Sequence, residues 1–322
     1  MSDVAAAALE PLPAAAARGH ERRPALGYAM VLVAATLFGV NGAVSKVALA
    51  SGLSSLRLTE ARCAGACAGL VLIAGLRRPG SLWLRRGEWP LLAAFGVGGV
   101  VFVQLFYFLA IHRLAIGIAL LIEYLGPLLV AIWARTFGHE VVRRRVWVAL
   151  GLSLTGLVLM VRLWSSGAVD GLGVAFALVC AVVFAAYLLL AEHGVARRDP
   201  TSLLAWGFLF ATLFWTVVQP WWSFPGATVE RTVPLQGHLA AWHLPVWALV
   251  LWVVVLGTIA PFTLIVAALR HVTATRVGVV AMLEPVVATV VAWIWLRESL
   301  APVQLAGAAV VLAGILLAQT AR

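Results

Sequence analysis

The sequence contains few charged residues. They make up 11% of its 322 residues, whereas a soluble domain carries roughly 25%. Hydrophobic residues account for 63% of the chain, and the mean hydropathy is +1.02. A soluble fold could not bury so much apolar surface, so the composition excludes a soluble enzyme and a disordered chain. It also disfavours an outer-membrane barrel, whose alternating strands stay more polar.

Cysteine is scarce as well. Cys63, Cys67 and Cys180 lie in apolar runs and cannot form a complete disulfide framework, which argues against a disulfide-stapled secreted domain. The sequence also lacks HExxH, paired CxxC and GxxxxGK[ST] motifs. We therefore expect no metal, no cofactor, no ATP hydrolysis by this chain and no enzymatic activity.

Long apolar runs fill most of the chain. A transmembrane helix needs about 20 apolar residues, and ten such runs can be drawn. The sequence therefore predicts an all-α integral membrane protein with ten transmembrane helices. The expected spans are 27–49, 58–76, 90–111, 115–134, 146–164, 171–191, 202–220, 246–269, 277–296 and 302–320.

The basic residues are distributed unevenly between the connections. With the N-terminus inside, 16 fall on the inner side, 5 on the outer side and 2 within spans. This bias predicts that both termini are cytoplasmic. The net charge of +10 is then explained by cytoplasmic loops, and nucleic acid is not expected as a partner. Residues 1–26 lack the order of a signal peptide and are interpreted as a disordered cytoplasmic tail.

The chain contains an internal repeat. A shift of 158 residues aligns the last three spans of each half without a gap, and a shift of 146 aligns the first spans. The sequence therefore predicts two five-helix units, 27–164 and 171–320. Because five is odd, the second unit enters the membrane inverted. The matched pairs are Gly99 with Gly257, Pro127 with Pro285, Gly156 with Gly314, and Phe38 with Phe184.

Inverted repeats are typical of secondary transporters, whose substrate site lies near the midplane between the halves. Exchanging the conformations of the two halves converts a cavity open on one side into a cavity open on the other. An enzyme or a scaffold has no evident need for this symmetry. The repeat therefore indicates a transporter.

The residues from 27 to 320 resemble the drug/metabolite transporter superfamily of the ten-helix EamA type. The segments 117–127 (GIALLIEYLGP) and 282–285 (MLEP) are similar to the fourth and ninth helices of its threonine/homoserine exporter branch. Lys46 and Arg62 fall where such proteins often carry a basic residue. The resemblance implies a bacterial inner-membrane protein that exports small polar metabolites, most of all amino acids.

Two acidic residues are expected deep in the membrane. Glu123 and Glu284 each lie about eight residues, or roughly 12 Å, into their spans from opposite sides. Each has a proline nearby, Pro127 or Pro285, which frees a backbone carbonyl where a helix lines a cavity. The pair, with the adjacent Tyr124, is a candidate site for a substrate ammonium or a proton. The alternative is that both carboxyl groups serve helix packing.

Three further polar residues are candidates near the outer side. Lys46 is the sole lysine, and it forms either an ion network with Glu60 and Arg62 or an interfacial contact with its chain extended towards water. Asn41, the sole asparagine, binds substrate or bonds a neighbouring helix.

Two glycine patterns indicate helix irregularity and close packing. Pro261 with Gly257 predicts a kink that faces the cavity, with simple kinking as the alternative. Gly65 and Gly69 form a GxxxG pattern, which fits close packing within the chain or a homodimer face, with the first favoured.

The sequence thus predicts a secondary transporter that exchanges a small molecule, most of all an amino acid, for protons across the bilayer. Movement of drugs or nucleotide-type metabolites is the alternative, although a phosphate-bearing substrate would favour basic rather than acidic residues at the midplane. A membrane-embedded lipid-modifying enzyme would need a nucleophile, metal ligands or paired acids at one interface, and none converge.

Overall fold

A computed structural model of the chain describes residues 23–84, 87–138, 142–162 and 170–320. The proposed tail therefore lies almost entirely outside the described residues, and the first helix begins at Pro24. Ten helices in the described part are long and apolar enough to cross a membrane.

These ten helices confirm the predicted spans. Most boundaries agree within three residues, but α6 continues six residues beyond its expected end, because its last turns carry polar side chains that interrupt the apolar run. The helices are α1 Pro24–Leu49, α2 Ser55–Arg77, α3 Trp89–Ile111, α4 Ile116–Thr136, α5 Arg144–Val161, α6 Gly171–Arg197, α7 Pro200–Val218, α8 Val246–Ala268, α9 Ala274–Leu296 and α10 Pro302–Thr320.

The bundle has two ends. We call the end that carries residues 219–245 the loop face and the end that carries Pro24 and Thr320 the termini face. The loop-face segment contains the 3₁₀ turn Trp221–Ser223, the helix Gly226–Glu230 and the 3₁₀ turn Gly237–Leu239. It also forms a hairpin of β1 (Thr232–Pro234) and β2 (His243–Pro245). A further 3₁₀ turn, Pro79–Leu82, follows α2 at the termini face.

The hairpin is antiparallel, with Val233 opposite Leu244. It is fixed to the bundle because Trp295 of α9 donates its indole N–H to the carbonyl oxygen of Leu235 at 2.9 Å.

At the same face Asp170 caps α6 by accepting from the backbone N–H of Gly173. That hydrogen bond and the nearby Arg113 lower the pKa of Asp170.

The third span of each half contains a wide, π-type segment. In α3 it runs over Ala94–Val101, between Trp89–Ala93 and Phe102–Ile111. In α8 it runs over Val255–Ile259, between Val246–Val254 and Ala260–Ala268. The 158-residue shift places the end of one segment, Val101, on the end of the other, Ile259. The irregularity therefore belongs to the repeat, and Pro261 follows it in the first turn of regular helix.

The fourth span of each half is interrupted. In α4 the helix stops at Glu123 and resumes at Gly126, giving Ile116–Glu123 and Gly126–Thr136. In α9 it stops at Ala281 and resumes at Leu283, giving Ala274–Ala281 and Leu283–Leu296. Each second segment carries a proline in its first turn, where a missing N–H is tolerated.

The two halves interleave. α1 packs against α8 and α9 of the second half, while α6 packs against α3 and α4 of the first. α2 pairs with α7, and α5 pairs closely with α10. At the α5–α10 crossing, a Cβ added at Gly156 would lie 2.6 Å from the carbonyl oxygen of Gly307, and the reverse holds as well. These exchanged contacts are what two inverted five-helix repeats produce.

Large apolar side chains face outwards as well as inwards. Leu72, Val182 and Leu316 are more than half exposed, which suits contact with lipid. The GxxxG pattern faces inwards: Cβ atoms added at Gly65 and Gly69 would meet Val254 and Ile259 of α8. These glycines therefore serve packing within the chain.

Candidate functional site

The site is centred on the two helix interruptions. Glu123 is the last residue of the first segment of α4, about 10 Å along the helix from the loop face. Glu284 is the second residue of the second segment of α9, about 15 Å from the termini face. Both side chains are half-buried. The interruptions thus place two half-buried carboxyl groups near mid-membrane.

Tyr124 joins the two interruptions. Its hydroxyl lies 3.0 Å from Oε2 of Glu284 and 3.4 Å from the carbonyl oxygen of Ala281. The hydroxyl has one proton, which it donates over the shorter distance to Glu284. Pro285 has no N–H to offer the Ala281 carbonyl four residues earlier, so that carbonyl lacks its usual helical donor. Tyr124 of one interruption and Glu284 of the other are therefore in contact.

Among the described residues that interact electrostatically with Glu123 or Glu284, one is a cation, Arg62. Glu123 interacts electrostatically with Glu284, and Glu284 interacts with Arg62 of α2. Glu123 accepts no hydrogen bond from the residues that the structure describes. The guanidinium of Arg62 likewise donates none within the described chain, and its Nε is buried without a partner. The site therefore holds a carboxyl group and a guanidinium that have no hydrogen-bond partner in the described chain.

Asn41 lies against the wide segment of α8. It is buried, and a Cβ added at Gly257 would overlap its Oδ1, which has no partner in the described chain. The 146-residue shift relates Asn41 to Tyr187, whose ring packs on Gly99 in the same way. Asn41 thus fills a packing position of the repeat, and no described contact joins it to Glu123 or Glu284.

Lys46 lies away from this site. Its ammonium is 2.6 Å from Oε1 of Glu298, and the two side chains are 58% and 49% exposed. Glu60 is paired instead with Arg57, at 2.6 Å. The expected Lys46–Glu60–Arg62 network is therefore not formed. The reason is that the start of α2 turns Glu60 towards the loop-face segment, while Arg62 points to α9.

The remaining candidate residues are helix-shaping prolines. Pro127 opens the second segment of α4, and Pro285 lies in the first turn of the second segment of α9. Pro261 is buried directly after the π-type segment of α8. The predicted irregularity at Pro261 is present. Whether its carbonyls meet a substrate stays a prediction.

Sequence reasoning missed three further side chains. Tyr107 lies close enough to Glu123 and Glu284, and Cys180 close enough to Glu123, for their ionised forms to repel. Gln104 is buried, accepts from the thiol of Cys63 at 3.4 Å and has an unpartnered Nε2. Gln104 had a signal, since it is the sole amide side chain in the apolar run of α3.

Aromatic rings pack beside Tyr124. Phe184 packs edge-on against Tyr124 at 6.5 Å and stacks on Tyr187 at 6.4 Å. Phe262 then contacts Tyr187 at 6.2 Å and Phe38 at 5.3 Å. These ring contacts join α1, α6 and α8.

The arrangement has no metal-binding character in the described residues, where no three His, Cys, Asp or Glu side chains cluster. Its chemistry is that of charge recognition. Two carboxyl groups, a phenol hydroxyl and a nearby guanidinium meet where the helices of both halves are interrupted.

Comparison with known proteins gives relatives over most of the chain. The threonine/homoserine exporter RhtA of Escherichia coli K12 is 29% identical over 80% of this chain and 77% of its own length. RhtA of Salmonella typhimurium LT2 is 27% identical over the same shares. An uncharacterized transporter of Archaeoglobus fulgidus is 27% identical over 66% of this chain and 70% of its own.

A solved crystal structure has the same fold. Its TM-score is 0.71 at 20% sequence identity, and the match covers 93% of this chain and 98% of that one. The family comparison matches two segments, 25–162 and 171–320, to the EamA-like transporter family. These segments coincide with the two halves of the bundle and together span most of its length, so the chain belongs to the EamA-like transporter family.

Proposed function

We propose that the protein exports small amino acids from a bacterial cytoplasm in exchange for protons. The observation that carries the proposal is Glu123, a carboxyl group at a helix interruption near mid-membrane with no hydrogen-bond donor in the described chain. Relatives named as threonine/homoserine exporters favour an amino acid over a drug or a nucleotide.

The exchange follows from charge compensation at Glu123. A carboxylate withdrawn from water is costly unless a positive charge accompanies it. A proton or a substrate ammonium supplies that charge, and both need the same oxygen atoms. Binding of one therefore displaces the other, which couples the two fluxes without a large rearrangement of the site.

The proposal includes an orientation. Most of the arginines lie at the termini face, so that face is cytoplasmic and the loop face is external. Protons then reach Glu123 from the loop face and the amino acid reaches it from the termini face, each in the conformation that opens that face.

The test is flux of L-threonine and L-homoserine in proteoliposomes under an imposed pH gradient. We expect gradient-driven flux in the wild type and its loss in Glu123→Gln, since the amide keeps size and cannot titrate. Glu230→Gln is the matched control, because Glu230 is an exposed acidic residue of the loop-face segment. A Glu123→Gln variant with unchanged pH-dependent flux would remove Glu123 from the mechanism.

A further inference from the structure

We propose that Arg62 and Gln104 form a subsite for the carboxylate of the substrate, opposite the ammonium subsite at Glu123. The inference rests on the proposed function and deepens it. Under this proposal the substrate is a zwitterion, which carries both an ammonium and a carboxylate group. Simple amines are not substrates. Arg62 would contact the substrate directly and set specificity.

The first support is that Arg62 is unsatisfied where comparable arginines are not. Arg57 of α2 donates to Glu60, to the carbonyl oxygen of Pro220 and to Ser223. Arg198 donates to Glu88, to Ser202 and to the carbonyl oxygens of Ser81 and Trp83. Each of these two arginines is thus bonded through more than one nitrogen atom. Arg62 has an unpartnered Nε and donates to no described residue.

The second support is Gln104, which is 7% exposed. Its Oε1 accepts from the thiol of Cys63, so its amide nitrogen points elsewhere, and that nitrogen has no partner in the described chain. Cys63 directly follows Arg62. The two unpartnered donors therefore lie at neighbouring positions along α2. Because leaving a buried donor without an acceptor is unfavourable, an acceptor is expected to bind there.

The chemistry of the two donors selects the ligand. A guanidinium presents parallel N–H groups that match the two oxygens of a carboxylate. Glu284 attracts Arg62 electrostatically, but its Oε2 accepts from Tyr124. Arg62 is therefore attracted to Glu284 but donates no hydrogen bond to it. A substrate carboxylate can approach its free N–H groups.

The opposite end of the site takes the ammonium group. Glu284 interacts electrostatically with both Glu123 and Arg62, so both groups lie near the same carboxyl group. A bound amino acid then aligns its ammonium with Glu123 and its carboxylate with Arg62. A simple amine satisfies Glu123 alone and leaves both donors of the carboxylate subsite unpaired.

The test compares substrates that differ in the carboxylate. Wild-type protein and Arg62→Gln are assayed in proteoliposomes for inhibition of L-threonine flux by unlabelled L-threonine and by its amino alcohol, in which CH₂OH replaces the carboxylate. In the wild type we expect the amino alcohol to inhibit at least about tenfold more weakly, since a hydrogen bond between charged groups is lost. In Arg62→Gln we expect threonine itself to weaken by about tenfold while the amino alcohol is unchanged.

Two further variants serve as controls for the charge and for the position of the substitution. Arg62→Lys keeps the charge and removes the planar fork, so we expect weakened threonine and an unchanged amino alcohol in a protein whose charge balance is intact. Arg231→Gln, at an exposed position of the loop-face segment, is the control and should equal the wild type. Binding is also read as the rise in melting temperature that each compound produces, so variants with little flux still report.

The outcomes separate the two proposals. If the amino alcohol equals threonine in the wild type, or if Arg62→Gln and Arg62→Lys leave the preference unchanged, the carboxylate subsite is wrong, while pH-driven flux abolished by Glu123→Gln still upholds the proposed function. If the wild type moves and binds neither amino acid, the proposed function fails, and this inference fails with it.

Discussion

Lys46 and Glu60 show how differently two charges near the same membrane face are used. The Lys46–Glu298 pair is about half exposed, and such pairs contribute roughly 0–1 kcal/mol to stability. Glu60 is 1% exposed and depends on Arg57, so loss of that partner would strand a buried charge at a cost of about 3–5 kcal/mol. Lys46 stood out in the sequence because it is the sole lysine. The stability of the fold, however, depends more on the buried Arg57–Glu60 pair than on the exposed Lys46–Glu298 pair.

Gly257 is the position where one added methyl group has the clearest consequence. Its Cβ would overlap Oδ1 of Asn41, because α1 crosses α8 at its π-type segment. We expect Gly257→Ala to destabilise the protein by about 1–3 kcal/mol, the usual cost of overpacking. Thermal unfolding in detergent measures this.

Gly98 provides the control for that substitution. It lies in the matching π-type segment of α3 and has open space where a Cβ would be, so Gly98→Ala should be close to neutral. Asn41→Ala in the Gly257→Ala background should recover part of the loss, since the overlapping atom is gone. Equal destabilisation by both glycine substitutions would contradict the packing account.

At the scale of elements, the ends of α2 and α7 are joined by two matching latches. The loop-face latch consists of Arg57 at the start of α2, Glu60, the carbonyl oxygen of Pro220 and Ser223 beyond the end of α7. The termini-face latch consists of Arg198 at the start of α7, Glu88, and the carbonyl oxygens of Ser81 and Trp83 beyond the end of α2. Each latch connects the two halves at one face.

We expect the latches to bias alternating access in opposite directions. The double variants Arg57→Gln/Glu60→Gln and Glu88→Gln/Arg198→Gln each remove one latch without leaving a lone charge. The first should favour opening at the loop face and the second opening at the termini face, because each loses contacts that hold its own face closed.

Apparent KM measured from each side of oriented proteoliposomes checks this expectation. Loss of the loop-face latch should lower KM severalfold for substrate added at that face and raise it at the other, and loss of the termini-face latch should do the reverse. A change in the same direction for both double variants would show that the latches serve stability alone.

At the scale of the whole molecule, the exchanged packing of the halves matters most. α1 and α6 each pack on the opposite half, so neither half can close on itself. The irregular segments of α3 and α8 and the interruptions of α4 and α9 recur at equivalent places. Both halves therefore contribute equivalent movable parts around one site, which is what alternating access requires.

The orientation of the molecule is testable with single cysteines. Gly226→Cys on the loop face should react with a membrane-impermeant thiol reagent added to intact cells, and Arg144→Cys on the termini face should not. Both positions are exposed, and the three native cysteines are buried, so background labelling is low. Labelling of the Arg144→Cys protein in intact cells would reverse the orientation.

The sequence by itself determined the ten spans, the repeat and the family. The reason is that the bilayer strongly penalises polar groups. The length of each apolar run and the polar residues that separate the runs therefore show directly in the sequence. The positions of Glu123, Glu284 and their prolines were visible for the same reason. An acidic residue within a span stands out against an apolar background.

The tertiary structure alone decided which charges meet. Partners in this bundle lie 160 residues apart for Tyr124 and Glu284 and 252 apart for Lys46 and Glu298. Such pairings depend on the rotation and offset of helices from different halves, which no local pattern encodes. For that reason the sequence joined Lys46 to Glu60, and the fold separated them. The same rotations left Arg62, which lies near Glu284, and Gln104 with unpartnered nitrogen atoms.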